Sequence, residues 1–293
     1  MFDIYEHVTN RIIEQLEKGV IPWKKPWKVS GIQIKGANDI TKVAFNRITK
    51  TAYSPLNQMI LQHAGEYATF KQWHDLGGYV RKGEKAEFVV FWKLYQKTET
   101  DKNGEEIIVT IPILKYYQVF HISQIENVKP LQAEDLKDTE VKFNSNEEAE
   151  RIIADYQTRE NILIEFIEND AYYSPSRDLI RLPEKFKFGK NGAEFYSTAF
   201  HEITHSTGAK QRLDREKGSF FGDERYSKEE LIAEIGAAGM LSLLNIETES
   251  SFTNSTAYIR SWLEQLRNDK KLIVSAASKA EKAIKYILNG AAA

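Results

Sequence analysis

Residues His201-Glu202-Ile203-Thr204-His205 form an H-E-x-x-H pentad in a stretch of helical character. On an α-helix, side chains four positions apart lie one above the other on one face. Both imidazoles can therefore reach one tetrahedral metal ion, most often zinc. Glu202 lies beside such an ion, where it can take a proton from metal-bound water and pass it to a leaving amine. The pentad thus offers two of three protein ligands, His201 and His205, and the general base of a hydrolytic site, Glu202. The chain has only six histidines in 293 residues, so the spacing is not a by-product of abundant His.

A catalytic zinc keeps three protein ligands and one open position. No His follows His205 and the chain has no Cys, so the third ligand is a carboxylate from outside the pentad. The stretch Glu229-Glu230-Leu231-Ile232-Ala233-Glu234-Ile235-Gly236-Ala237-Ala238 is the natural source, because its small residues permit close approach to the pentad helix. Glu234 sits in a largely apolar setting, and a buried carboxylate needs a partner; it is the favoured ligand. Glu230, one turn earlier on the same face, is the alternative ligand or an outer partner that fixes a His tautomer. Glu229 reads as an ordinary surface charge, and Tyr226 is a candidate for stabilising an oxyanion. Zn²⁺ is the expected ion with Mn²⁺ as alternative, because carboxylate-containing sites discriminate weakly.

The elements that must carry these residues are legible in outline. Phe195, Thr198 and Ala199 lead into the pentad and Gly208 follows it, which predicts a helix over about 193–206. Helices are also expected at 5–18, 54–63, 69–76, 145–158, 228–244, 255–266 and 271–288. Strands are expected at 86–93, 106–114, 115–121 and 162–166, with a hairpin over 171–182 whose edge suits an extended peptide. Asp101-Lys102-Asn103-Gly104 marks a hairpin tip. The expected fold class is α+β: a first region with an antiparallel sheet at 1–127, a charged linker at 128–144 and a second region at 145–293. The absence of Cys excludes disulfides and thiolate metal sites. The N-terminus lacks a basic segment and a long apolar run, and no stretch is apolar enough to span a bilayer. A cytoplasmic protein is expected, with no membrane among its partners.

The near-neutral net charge of −2 hides an asymmetry: Lys and Arg exceed Asp and Glu in the first 130 residues, and the reverse holds afterwards. In the first region aromatic residues interleave with Lys and Arg. Rings can stack on exposed bases while cations track phosphates, the pattern of single-stranded nucleic-acid binding. Trp23, Lys24, Lys25, Trp27, Arg47, Asn57, Lys71, Arg81, Lys82 and Lys85 are the candidate contacts. Trp23 and Trp27, set among lysines and prolines, are the expected exposed rings, whereas Trp73 and Trp92 are expected in the core.

Several runs resemble the ArdC-type antirestriction proteins of conjugative plasmids. They include Ile21-Pro22-Trp23 with Pro26-Trp27, Asn46 with Tyr53 and Asn57, the stretch from Thr69 to Lys85, Phe91-Trp92-Lys93, the pentad with its flanks, Arg212-Leu213, and residues 229–238. The resemblance covers nearly the whole chain. It implies an N-terminal single-stranded DNA-binding domain, a C-terminal zincin-like metallopeptidase domain, and protection of incoming transferred DNA from host restriction. Single-stranded DNA is the implied partner, with a protein of the host restriction system as a candidate peptidase substrate. Plasmid primases of the TraC type have similar N-terminal domains, but no primase region is expected here. Ser54-Pro55-Leu56-Asn57 departs from the common wording, in which a glycine lies near the asparagine, and leaves the role of Asn57 open.

Overall fold

A computed structural model describes residues 3–24, 43–100, 106–131, 145–188, 192–215, 224–246 and 255–289. The fold is mixed α+β. Helix α1 (Ile4–Glu17) starts where the Asp3 carboxylate accepts from the Tyr5 and Glu6 N–H groups, and it ends before Gly19 at positive φ. Its Val8, Ile12 and Leu16 are buried, one stripe at helical spacing. Strand β1 (Ala44–Asn46), helix α2 (Pro55–Ile60), strand β2 (Gly65–Ala68) and helix α3 (Phe70–Asp75) follow. Thr69 and Gln72 close a reciprocal capping box at the start of α3. After β3 (Tyr79–Val80) come the long strands β4 (Glu87–Thr100) and β5 (Glu106–His121), then β6 (Ile125–Glu126).

The first sheet has the order β1-β2-β5-β4 and is antiparallel except for the parallel β1–β2 pair. Residues 106–121, expected as two strands, form one. Pro112 is tolerated within it because β5 meets β2 only near its far end, leaving the outer edge at Pro112 without a ladder partner among the described residues. The expected hairpin tip falls on residues 101–105, outside the described residues.

The second region contains α4 (Ser145–Glu160), a three-stranded sheet of order β7-β9-β8 (Leu163–Ile167, Leu179–Pro183, Tyr172–Ser174), and helices α5 (Ala193–Ser206), α6 (Glu224–Leu243), α7 (Ser255–Asn268) and α8 (Leu272–Asn289). The two regions share one hydrophobic core. Val8, Ile12, Leu16, Trp23, Met59 and Val90 belong to the same buried cluster as Phe200, Ile203, Leu231, Trp262 and Ile284. Thr9 Oγ1 also donates to the Lys270 carbonyl at 2.8 Å. Most of the expected linker lies outside the described residues, and Leu131, at its start, is held to the first region by its N–H on Glu66. Among the described residues, no helix is long and apolar enough to cross a membrane.

Candidate functional site

Helix α5 brings His201 and His205 onto one face, their rings 4.7 Å apart and nearly perpendicular. The opposite face, with Phe200 and Ile203, is wholly buried. From Leu231 onward helix α6 is apolar almost all round, apart from Glu234, and it packs against both α5 and α8. It packs tightly on α5 at Gly236, where a Cβ would stand 2.6 Å from the Thr204 side chain. Only a glycine lets the two backbones meet there.

That crossing sets which acidic residue faces the imidazoles. The two Nε2 atoms are 3.1 Å apart, and the Glu230 oxygens lie 3.4 Å from His201 Nε2 and 3.3 Å from His205 Nε2. Among the described residues, His201, His205 and Glu230 form the one group of His, Asp and Glu side chains whose ligand atoms converge in this way. Glu234 is not in it, which corrects the preference for Glu234 over Glu230. In this packing it is Glu230 whose carboxylate faces both imidazoles. The donor set fits a divalent cation. Neighbouring corners of a tetrahedron with bonds of about 2.0–2.1 Å are about 3.3 Å apart, close to the separations found here.

Glu202 is buried. Burial raises its pKa above the ordinary carboxylate value, against the pull of the two imidazoles. Glu229 is no ordinary surface charge. Its Oε1 lies 3.8 Å from His205 Nδ1, on the side of the ring away from Glu230, and accepts from Arg215 Nη2 at 2.7 Å. Burial disfavours the His205 imidazolium, yet Glu229 and Glu230 overturn that penalty and raise its pKa to about 10.

Arg215 also donates to the Thr204 carbonyl and to Thr207 Oγ1 at 2.7 and 2.6 Å, satisfying the last turn of α5. Arg212 has a fully buried side chain. It grips both Asp178 oxygens at 2.8 Å, Glu160 at 3.0 Å and the Ser206 carbonyl at 3.0 Å, tying the β8–β9 turn and the end of α4 to the pentad helix. Neither Glu229 nor Arg215 carries a sequence signal beyond lying near the pentad or the Glu230 segment. The side chain of Tyr226, in the first turn of α6, lies outside the described residues.

Two family models match the chain: the N-terminal domain of anti-restriction factor ArdC over residues 2–120, and a zincin-like metallopeptidase over residues 147–279. The crystal structure of the antirestriction ArdC protein from plasmid R388, in its metal-free form, is 34% identical with a TM-score of 0.71, covering 99% of this chain and 98% of that one. This chain belongs to the ArdC antirestriction family. The Mn(II)-bound structure of the R388 protein has 32% identity and a TM-score of 0.72, with 99% of both chains covered. The y4eC protein of Sinorhizobium fredii is 34% identical over 95% of this chain and 89% of its own length. A DNA primase TraC of Escherichia coli is also 34% identical, but this chain spans only 27% of it. Family and donor set together make this a divalent-metal site.

The DNA-contact candidates of this ArdC-family chain scatter. Trp23 is fully buried, edge-on to Trp262 at 4.9 Å, and so is corrected from exposed ring to core residue. Its isolation between proline and lysine hid a partner that lies far along the chain. Asn57 is buried as well. Its amide donates to the Val90 carbonyl at 2.8 Å and accepts the Val90 N–H at 2.7 Å, mimicking a strand partner. Arg47 is paired with Glu66, and Arg81 with Glu84 at 2.8 Å. Lys71, Lys82 and Lys85 are exposed. Lys25 and Trp27, and the side chain of Lys24, lie outside the described residues. Trp73 is buried as expected, its indole N–H on the Phe120 carbonyl, whereas Trp92, expected in the core, is 42% exposed.

Proposed function

We propose that this protein binds single-stranded DNA and protects DNA entering a recipient cell by conjugation from the host restriction system, and that its second region is a metal-dependent peptidase. Its working compartment on this reading is the cytoplasm. The observation that carries the reading is the full-length match to ArdC combined with convergence of His201, His205 and Glu230 beside a buried Glu202. Zn²⁺ and Mn²⁺ both suit two imidazoles and a carboxylate. When bound, the cation supplies Lewis acidity and makes water a nucleophile near neutral pH.

The remaining work belongs to the chain. His201, His205 and Glu230 hold the ion. Glu202, buried beside them, takes the proton from water and returns it to the leaving amine. Its raised pKa suits a group that must both accept and give a proton. The exposed edge beside Tyr172 suits an extended peptide.

A second reading makes the protein a DNA-binding protein with a structural metal. It is favoured by the shared core, in which Trp23 from the first region packs on Trp262 from the second. On that view the ion pins α5 to α6 and thereby braces the DNA-binding region. Glu202→Ala separates the two in conjugation assays with restricting recipients. Loss of protection with metal still bound supports catalysis; retained protection leaves the structural role. If the wild type fails to bind labelled single strands at low salt, the DNA-binding reading falls.

A further inference from the structure

We propose that the protruding arm made by β4 and β5 grips single-stranded DNA on one of its two faces. This rests on the single-stranded-DNA reading above and gives it a place on the fold. Beyond the pair Trp92–Leu114, whose Leu114 is still in the core, the two strands leave the body of the protein and continue as a two-stranded ribbon to the closing pair Thr100–Glu106. At about 3.4 Å per residue the ribbon reaches roughly 30 Å.

Residues opposite each other in an antiparallel pair share a face, and the faces alternate along the strand. The register therefore divides the arm cleanly. One face carries Val90 and Tyr116, Trp92 and Leu114, Leu94 and Pro112, Gln96, and Thr98 and Ile108, and its one charge among the described residues is Glu106 in the closing pair. The other carries Tyr117, Phe91 opposite Lys115, Lys93 opposite Ile113, Tyr95 opposite Ile111, Lys97 opposite Val109, and Glu99 opposite Ile107 near the tip. Among the described residues the lysines of the arm, Lys93, Lys97 and Lys115, all fall on this second face.

The second face has what a single strand needs. Phe91 and Tyr117 are stacked at 4.8 Å with their planes 6° apart, a ready-made ring platform. Tyr117 is 56% exposed and Tyr95 is 53% exposed. Lys93 and Lys115 are exposed between these rings, and among the described residues no carboxylate pairs with them. Lys97 is different, being held by Glu99 at 3.2 Å. Successive side chains on this face are about 7 Å apart, about twice the rise per nucleotide of a stacked strand. Bases must be unstacked to meet such rings, and a duplex does not offer their faces. The arm therefore selects a single strand by stacking and holds its phosphates through Lys93 and Lys115.

The test is fluorescence anisotropy of the full chain with a short labelled oligo(dT). Tyr95→Ala and Tyr117→Ala are each expected to raise Kd about tenfold. Lys93→Ala with Lys115→Ala should lower the slope of log K against log salt by about 1.4, or ~0.7 for each phosphate released. Leu94→Ala, on the lysine-free face of the same arm, should bind as wild type, and circular dichroism checks that each variant is folded. Wild-type affinity in all second-face variants, with intact wild-type binding, overturns the arm as the site and leaves the broader DNA reading standing. Equal loss from Leu94→Ala overturns the choice of face. Equal affinity of wild type for duplex and single strand overturns the single-strand occupant. A wild type that binds no oligonucleotide at low salt removes the DNA reading itself.

Discussion

The α5–α6 metal centre and the β4–β5 arm sit at opposite extremes of one molecule. At the metal centre every charge is enclosed and answered: Glu229 by Arg215, Arg215 by two threonines, Glu230 by two imidazoles. On the arm, exposed rings and lysines stand in solvent with few partners. The difference teaches where function is fragile. Buried polar networks fail when one member is lost, because the partner left behind keeps its desolvation cost. An exposed binding face is a sum of small contacts and declines gradually.

The largest effect is expected inside the core that links the two. Trp23→Ala should destabilise the fold by about 3–5 kcal/mol in urea unfolding, since Trp23 is fully buried against Trp262. Unchanged stability with weakened oligonucleotide binding would return Trp23 to the exposed class. At the metal centre, Glu230→Gln should weaken Mn²⁺ or Zn²⁺ binding more than ~100-fold by titration calorimetry, while Glu234→Gln stays within about 3-fold of wild type. The reverse order would place α6 one turn away from its position here.

Asn57→Ala should cost about 2 kcal/mol by orphaning the Val90 N–H and carbonyl, with no change in oligonucleotide Kd. A selective loss of DNA affinity would show Asn57 to be a contact. The smallest effect is expected one step out from the metal: Glu229→Gln should weaken metal binding about tenfold. No change would mean that the 3.8 Å approach to His205 does not orient the ring.

The helical part of the molecule was legible because local rules suffice for it. The pentad helix is expected over 193–206 from its apolar lead-in and terminal glycine, and it occupies those residues. Thr69 and Gln72 announce α3 in the same local way. The strands β1, β2, β3 and β6 had no expectation at all. They are two to four residues long, too short to show a period, and exist because partners elsewhere in the chain complete their hydrogen bonds. Helix α2 ends at Ile60 rather than near His63 because Leu61 turns extended.

Residue order alone determined that two imidazoles share a helix face, that a helix with several glutamates follows, and that aromatic and basic residues interleave in the first region. Helical and strand periods act over one to four residues. Packing decided the rest. Glu230 and Glu234 share a face, and only the contact of Gly236 with Thr204 selects between them. Trp23 and Trp92 are both aromatic residues beside a lysine, and their exposure depends on what the distant chain brings over them. Trp262 covers Trp23, whereas Trp92 stands where the arm leaves the body.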